Sequence, residues 1–84
     1  MVTVYVLYSF SSDKLYIGVS EHFIRRFHFH NQFATKGFTI RYRPWFCIHN
    51  EFFADKKQAL IREKQLKSGQ GRQWIRETIL PLYR

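Results

Sequence analysis

Glu63 is the acidic side chain whose position calls for a chemical explanation. At about 100° per residue in a helix, it projects between Ala59, Leu60 and Leu66, which form the apolar stripe of its own segment. A carboxylate among apolar side chains is costly unless it is paired with a cation or bound to a metal. The sequence therefore predicts either a salt bridge to a nearby arginine or a divalent-cation ligand, and both alternatives stay open at this point.

A second set of candidate residues lies along one helical face at i, i+4 spacing. His22, Arg26 and His30 follow one another there, beside the apolar Phe23 and Phe27. Arginine offers a forked, permanently charged donor that suits phosphate oxygens, and histidine can move a proton near neutral pH. Within this row, Arg26 and His30 are the candidates for phosphate binding, whereas His22 is interpreted as an ordinary surface residue. The alternative for the two candidates is an ordinary surface cation and a histidine at the border of the core.

Two strands and a turn must come before that helix. Val2 to Tyr8 is rich in β-branched and aromatic residues, Ser9 to Asp13 is typical of a turn, and Lys14 to Val19 is apolar again. This pattern predicts a β-hairpin with a five-residue loop. Gly18 lies inside the second strand, where glycine often marks a close approach of backbone or ligand.

The first helix is predicted to begin after Ser20, whose hydroxyl can cap it, with Glu21 in the first turn. We expect it to run from about Glu21 to Asn31 or Phe33. Its predicted core side carries Phe23, Ile24 and Phe27.

The second half of the chain is predicted to contain one strand and a helix after an exposed basic loop. The loop covers Ala34 to Arg43, and a strand follows from Trp45 to Phe53. Asp55 is expected to cap a helix that ends at Lys67 or Ser68.

The last segment is predicted to be a further helix. Gly69 and Gly71 are expected to end the preceding helix, and Gln73 to Leu80 has apolar residues at helical spacing before Pro81. The order β-β-α-β-α-α predicts an α+β fold, in which a small antiparallel three-stranded sheet is covered by helices.

Length and composition predict one small folded domain over residues 1–84. Hydrophobic residues make up 45% of the chain, and nine Phe, five Tyr and two Trp suffice for a core. The lone Cys47 excludes an internal disulfide and a cysteine zinc cluster, and we assign it to core packing. Because no run approaches the ~20 apolar residues of a membrane span, we expect a cytoplasmic protein without a membrane partner.

The charge balance points to a polyanionic partner. Fourteen Lys and Arg against six Asp and Glu give a formal net charge of +8. Nucleic acid is the leading partner. An anionic membrane surface would favour one amphipathic basic helix, whereas these cations recur along the whole chain. The remaining alternative is a basic protein without a polyanionic ligand.

Four segments together resemble one family of nucleases. They are TVYVL at 3–7, LYIG at 15–18, RRFHFHN at 25–31 and ALIREKQLKSGQGRQWI at 59–75. With the Pro44-Trp45 pair, they resemble the GIY-YIG nuclease superfamily, and most closely its short free-standing bacterial members. The first motif, Thr3-Val4-Tyr5, lacks the glycine that gives the family its name.

The resemblance implies a role for residues on both strands of the hairpin. Tyr5 and Tyr16 match the tyrosines of the two family motifs, and Gly18 matches the glycine that lets helix and substrate approach. Nearby cations are expected to lower the pKa of Tyr5 from about 10, so that it takes a proton from water. Tyr16 and His30 would orient that water or relay its proton, and the choice between Tyr5 and His30 as general base stays open.

The resemblance also implies a phosphate contact and a metal ligand. Arg26 matches the arginine that contacts the scissile phosphate, and His30 matches a position that the family fills with His or Tyr. Glu63 matches the family's sole protein ligand for one divalent ion, expected here to be Mg²⁺ or Mn²⁺.

The implied function is a metal-dependent DNA endonuclease, directed by DNA structure or context and acting in repair or recombination. RNA stays open as a substrate. The alternatives are a nucleic-acid-binding module with the same fold that cuts nothing, and a basic interaction protein with no nucleic-acid role. The side chains expected to hold the nucleic-acid backbone are Lys36, Arg41, Arg43, Lys64, Lys67 and Arg72.

Overall fold

The centre of the fold is a three-stranded antiparallel sheet. The computed structural model describes residues 1–33 and 38–84. The strands are β1 (Val2–Ser9), β2 (Lys14–Ser20) and β3 (Phe46–Phe53), in the order β2-β1-β3. Every residue of β1 is buried, as befits a central strand with both faces covered. The predicted hairpin, third strand and α+β class are confirmed, but the hairpin loop has four residues (10–13) instead of five, because Ser9 still belongs to β1 and pairs with Lys14.

Helices connect and cover the strands. They are α1 (Phe23–His28) with a π-helical turn after it (Phe29–Phe33), α2 (Phe38–Arg41), α3 (Lys56–Lys67), and α4 (Gly69–Trp74), which continues as a π-helical turn (Ile75–Ile79) and a 3₁₀ turn (Leu80–Tyr83). Asp55 caps α3 as predicted, because its Oδ1 accepts a hydrogen bond from the Lys57 amide at 2.9 Å. None of the helices in the described part of the chain is long and apolar enough to cross a bilayer.

The sheet separates two apolar clusters. Strand alternation directs Val4 and Val6 into the larger cluster, where Ala59 and Leu66 of α3 also pack. The intervening Tyr5 faces a smaller cluster on the other side of the sheet. That second cluster consists of Tyr5, Leu7 and Trp45, with Tyr16, Phe23, Phe27, Tyr42 and Cys47 packed against them. The side chain of Cys47 thus contributes to packing, as predicted.

The start of the first helix differs from the prediction. It begins at Phe23 rather than Glu21, so no acidic residue lies in its first turn. The Ser20 hydroxyl accepts a hydrogen bond from the His22 amide at 2.9 Å and closes a turn before the helix. Ile24 is 65% exposed and lies outside the core. The reason is that only Phe23, with Phe27 one turn later, reaches the cluster on the sheet.

The predicted basic loop is partly helical. Residues 34–37 lie outside the described residues, but Phe38–Arg41 form α2, so the loop prediction is wrong there. A tertiary contact stabilises this turn, because the buried indole of Trp45 donates its Nε1 hydrogen to the Thr39 carbonyl at 2.7 Å. Sequence periodicity does not reveal such a contact.

The boundary between α3 and α4 is set by a serine and not by the two glycines. Ser68 has extended backbone, with ψ 165°, and its hydroxyl donates to the Gln65 carbonyl at 2.6 Å and accepts from the Gly71 amide at 3.1 Å. Gly69 and Gly71 lie within α4, so the last helix begins earlier than Gln73. A Cβ on Gly71 would lie 2.1 Å from the Gln65 carbonyl oxygen, which shows why this close helix junction needs glycine.

Candidate functional site

A hydrogen bond between two buried side chains lies at the centre of the site. The Tyr5 hydroxyl is 3.2 Å from Nε2 of His30. Tyr5 comes from the central strand and is 1% exposed, and His30 comes from the π-helical turn after α1 and is 3% exposed. The fold therefore joins a residue of the first motif to one from the predicted arginine-histidine row.

Tyr16 and Gly18 of the neighbouring strand complete this arrangement. The Tyr16 ring centre is 4.5 Å from that of His30 and 6.3 Å from that of Tyr5. Gly18 lies opposite Tyr5 in the β1–β2 register, and a Cβ there would lie 2.5 Å from the Cζ and hydroxyl of Tyr5. Glycine is needed at this position because the phenol ring occupies the space of a side chain.

Two long-range contacts fix the turn that carries His30. Nε of Arg43 donates to the His30 carbonyl at 2.6 Å. The Asn31 side chain accepts from the Trp45 amide at 2.6 Å and donates to the Trp45 carbonyl at 3.0 Å. Sequence reasoning missed Asn31, and no local pattern could have found it, because its partner lies 14 residues away.

The electrostatics of Tyr5 contradict the expectation of an acidified phenol. Burial, assisted by Tyr16, raises the pKa of Tyr5 to about 12. The nearby Arg26 guanidinium lowers this pKa and the Glu63 carboxylate raises it, but burial dominates. Tyr5 is thus a neutral phenol at neutral pH, and both Arg26 and Glu63 lie near enough to act on its hydroxyl.

His30 is a neutral imidazole at neutral pH. Burial, followed by the charges of Arg26 and Arg43, lowers the pKa of His30 to about 4. Its Nε2 contacts the Tyr5 hydroxyl, while its buried Nδ1 has no hydrogen-bond partner within residues 1–33 and 38–84. A buried ring nitrogen without a partner is uncommon in folded proteins, so its position here calls for an explanation.

Glu63 lies at the border of the buried stripe of α3. Ala59 and Leu66 are buried but Leu60 is exposed, so the predicted apolar surround is incomplete, and the Glu63 side chain is 19% exposed. Its Oε2 lies 3.2 Å from Nζ of Lys67, one turn later on the same helix. The predicted salt bridge therefore forms with a lysine and not with an arginine.

The single carboxylate of Glu63 is a type of ligand that suits a hard divalent ion. Carboxylate oxygen suits Mg²⁺ or Mn²⁺, and Mg²⁺ commonly takes one or two carboxylates and completes its shell with water and substrate phosphate. No group of three His, Cys, Asp or Glu side chains forms a fuller metal site in the described part of the chain. An ion at Glu63 would thus rely on water and phosphate oxygens for its other ligands.

The predicted nucleic-acid contacts from α3 and α4 fall in two places. Lys67 and Arg72 line a groove beside Tyr16, with a volume of about 480 Å³. Lys64 lines a larger hollow of about 670 Å³ next to Trp74 instead.

The other predicted contacts precede the third strand. Arg41 is exposed at the end of α2. Arg43 is half-buried and donates to the carbonyls of His30 and Phe29, so it has a structural role whether or not it contacts nucleic acid. Lys36 lies outside the described residues.

Glu51 is an acidic residue whose role the sequence did not reveal. Arg62 donates to its two carboxylate oxygens at 2.7 and 2.9 Å, and Nε2 of His49 lies 2.8 Å from Oε2. Arg62 also lies over the Trp74 ring, at 5.4 Å from its centre. These contacts link β3 to α3 and α4. Because both carboxylate oxygens of Glu51 are paired with Arg62, we interpret Glu51 as a structural acid.

Comparison with known proteins assigns the family. The family model described as the GIY-YIG catalytic domain matches residues 1–76 of the 84-residue chain. Searches of curated proteins and of solved structures return no significant match. The match covers both tyrosine motifs, α1 and the Glu63 segment. The chain therefore belongs to the GIY-YIG family, whose members are generally endonucleases, and it has a nuclease-type fold suited to a nucleic-acid substrate.

Proposed function

We propose that this chain is a metal-dependent endonuclease that hydrolyses phosphodiester bonds of DNA. Its site comprises Tyr5, Tyr16, Arg26, His30 and Glu63. The observation that carries the proposal is the buried hydrogen bond between Tyr5 and His30, with an unpartnered ring nitrogen and with Arg26 and Glu63 acting on the same phenol. A purely structural tyrosine-histidine pair does not need an arginine and a carboxylate beside it.

The proton path follows from the two altered pKa values. Hydrolysis requires that water lose a proton as it attacks phosphorus. The Tyr5 phenol is neutral because its pKa is raised to about 12, and it would act as a relay: its oxygen accepts a proton from the attacking water while its own proton passes to Nε2 of His30. His30 is neutral and its Nε2 is 3.2 Å from that hydroxyl, so we assign His30 as the terminal base. Tyr16 packs against His30 and holds the imidazole in place.

Arg26 is assigned to the phosphate. Its side chain belongs to an exposed residue of α1, and its guanidinium lies 5.0 Å from the Phe29 ring centre. Forked N–H donors bind two phosphate oxygens at once and stabilise the charge that develops on them. A phosphodiester paired with Arg26 would also reduce the effect by which this cation lowers the pKa of His30.

Glu63 is assigned to the divalent ion. Its carboxylate oxygens would hold the ion at the solvent-exposed end of the site, once Lys67 moves away from Oε2. When bound, Mg²⁺ or Mn²⁺ supplies a Lewis acid that stabilises charge on the leaving 3′ oxygen.

The second candidate function is a nucleic-acid-binding module that cuts nothing. Two observations favour it: the pKa values of Tyr5 and His30, about 12 and about 4, lie far from neutrality, and Lys67 already neutralises Glu63. General acid–base catalysis is most efficient when the catalytic pKa lies near the operating pH. Binding alone requires neither a base nor a metal.

A cleavage assay with matched variants separates the two functions. Purified protein is incubated with nicked, branched, single-stranded and plasmid DNA, and with RNA of the same sequences, in Mg²⁺, in Mn²⁺ or in EDTA. We expect metal-dependent DNA cleavage that falls by about 10²-fold or more in Glu63→Gln and Arg26→Gln. The controls are Glu77→Gln and Arg25→Gln, which remove exposed charges and should cut within about twofold of wild type.

Two outcomes would contradict the endonuclease assignment. Cleavage that persists undiminished in Glu63→Gln would show that this carboxylate is not the metal ligand. Salt-sensitive binding of every substrate without cleavage in either metal would establish the binding module instead.

A further inference from the structure

A groove beside the candidate site carries an excess of positive charge. It is lined by Asp13, Lys14, Leu15, Tyr16, Ile17, Lys67, Arg72 and Arg76, and we call it the basic groove. Four of these side chains are cationic and one is acidic. Because β2 is an edge strand, the groove runs along its open side, between the hairpin and the helices α3 and α4.

The basic groove begins where the candidate site ends. Tyr16 belongs to both, since it lines the groove and its ring centre is 4.5 Å from that of His30. Lys67 also lines the groove, and its Nζ is 3.2 Å from Oε2 of Glu63. A nucleic-acid strand whose scissile phosphate lies at the site therefore enters this groove if it continues along the β2 edge.

The arginines of the groove are held in place by other groups of the protein. Arg76 donates from Nη1 to Oδ1 of Asp13 at 2.7 Å and from Nη2 to its carbonyl at 3.2 Å. Arg72 donates from Nε to the Lys67 carbonyl at 3.1 Å, which leaves its terminal nitrogens as donors. These bonds orient the guanidinium groups before a ligand arrives, and Asp13 offsets one of the four positive charges.

We propose that the basic groove is a second phosphate site, which binds a non-scissile phosphate of the strand that is cut. This inference rests on the proposed function, because it takes the neighbouring site as the place of cleavage. It adds Lys14 and Arg76 to the nucleic-acid contacts. It also defines the path of the bound strand, from the candidate site along the β2 edge. A different role for edge-strand cations is to prevent pairing with another chain, and that role needs no DNA.

The salt dependence of DNA binding tests the second phosphate site. Affinity for a fluorescent duplex is measured by anisotropy in EDTA, over a series of salt concentrations, for wild type, Lys14→Gln and Arg72→Gln. Each lost phosphate contact should lower the magnitude of the slope of log K against log salt by about 0.9 for duplex and about 0.7 for single strands. The control is Lys56→Gln, an exposed cation at the start of α3, about 16 Å along the helix from Lys67.

The expected result is a reduced slope in Lys14→Gln and Arg72→Gln and an unchanged slope in Lys56→Gln, with all variants folded by circular dichroism. Equal slopes in Arg72→Gln and Lys56→Gln would overturn the proposal, as would a wild-type protein without salt-dependent binding. Because EDTA prevents metal-dependent cutting, this result is independent of catalysis. If the reduced slopes are observed but no DNA is cut, the phosphate site in the basic groove is supported and the endonuclease assignment fails. If DNA is cut but the slopes are unchanged, the endonuclease assignment is supported and the phosphate site in the groove is refuted.

Discussion

Replacing Gly18 by alanine tests the geometry of the site most directly. The new Cβ would lie 2.5 Å from both Cζ and the hydroxyl oxygen of Tyr5, whereas carbon contacts are normally about 3.5–4.0 Å. The phenol ring must therefore retreat by about 1 Å. It has little room, because Tyr5 is buried between Tyr16, Phe23 and His30, with the Phe23 ring centre at 5.2 Å.

The size of the effect follows from this overpacking. Extra methyl groups in a tightly packed core destabilise the folded state by about 1–3 kcal/mol. For a chain of 84 residues, each kcal/mol lowers the melting temperature by about 4–8 °C. The same displacement moves the Tyr5 hydroxyl relative to His30, so cleavage measured well below the melting temperature should fall as well.

Thermal unfolding followed by circular dichroism measures the effect, and Gly69→Ala is the matched control. No atom lies within 4 Å of the Cβ that this second substitution would add, and Gly69 is the first residue of α4. Alanine there should leave the melting temperature unchanged or raise it, because helix propensity improves by up to about 1 kcal/mol. If Gly18→Ala melts at the same temperature as Gly69→Ala, the close approach of Gly18 to Tyr5 is refuted.

Three further substitutions probe the charged groups. The pKa of His30 is about 4 in the folded protein and 6.5 in the unfolded chain. The free energy of unfolding is therefore highest above pH 6.5, where His30 is neutral in both states, and up to about 3 kcal/mol of it is lost as the pH falls from 6.5 towards 4. Urea unfolding at several pH values should show that His30→Gln removes this part of the pH dependence, and an unchanged profile would contradict the assignment. Lys67→Ala breaks an i, i+4 pair and should tighten Mn²⁺ binding at Glu63 about twofold in calorimetric titrations, whereas tighter binding in Lys64→Ala would argue against that pair as the cause. Glu51→Gln should destabilise the fold by about 1–3 kcal/mol but leave cleavage at low temperature intact, and a selective loss of cleavage would assign this acid to the site instead.

Much of the fold could be predicted because it depends on local patterns. Apolar and β-branched runs with a turn between them specify the hairpin, and an acidic cap followed by helical spacing specifies the start of α3. The motif residues can also be identified from the sequence, because residue type and spacing mark Arg26 and Glu63 and the family resemblance adds Tyr5. Local patterns were insufficient at helix ends, where Ser68 instead of a glycine sets the boundary.

By itself, then, the sequence determined the order of the strands and the main helices along the chain. It also determined the basic charge and the residue types available for chemistry. The tertiary structure alone decided that burial raises the pKa of Tyr5, that Lys67 pairs with Glu63, and that Asn31 holds Trp45. It also decided that residues 13–17 and 67–76 border one groove. The physical reason is that periodicity records which face of an element is apolar, whereas pKa values, hydrogen bonds and grooves depend on which distant side chains fill the space around each group.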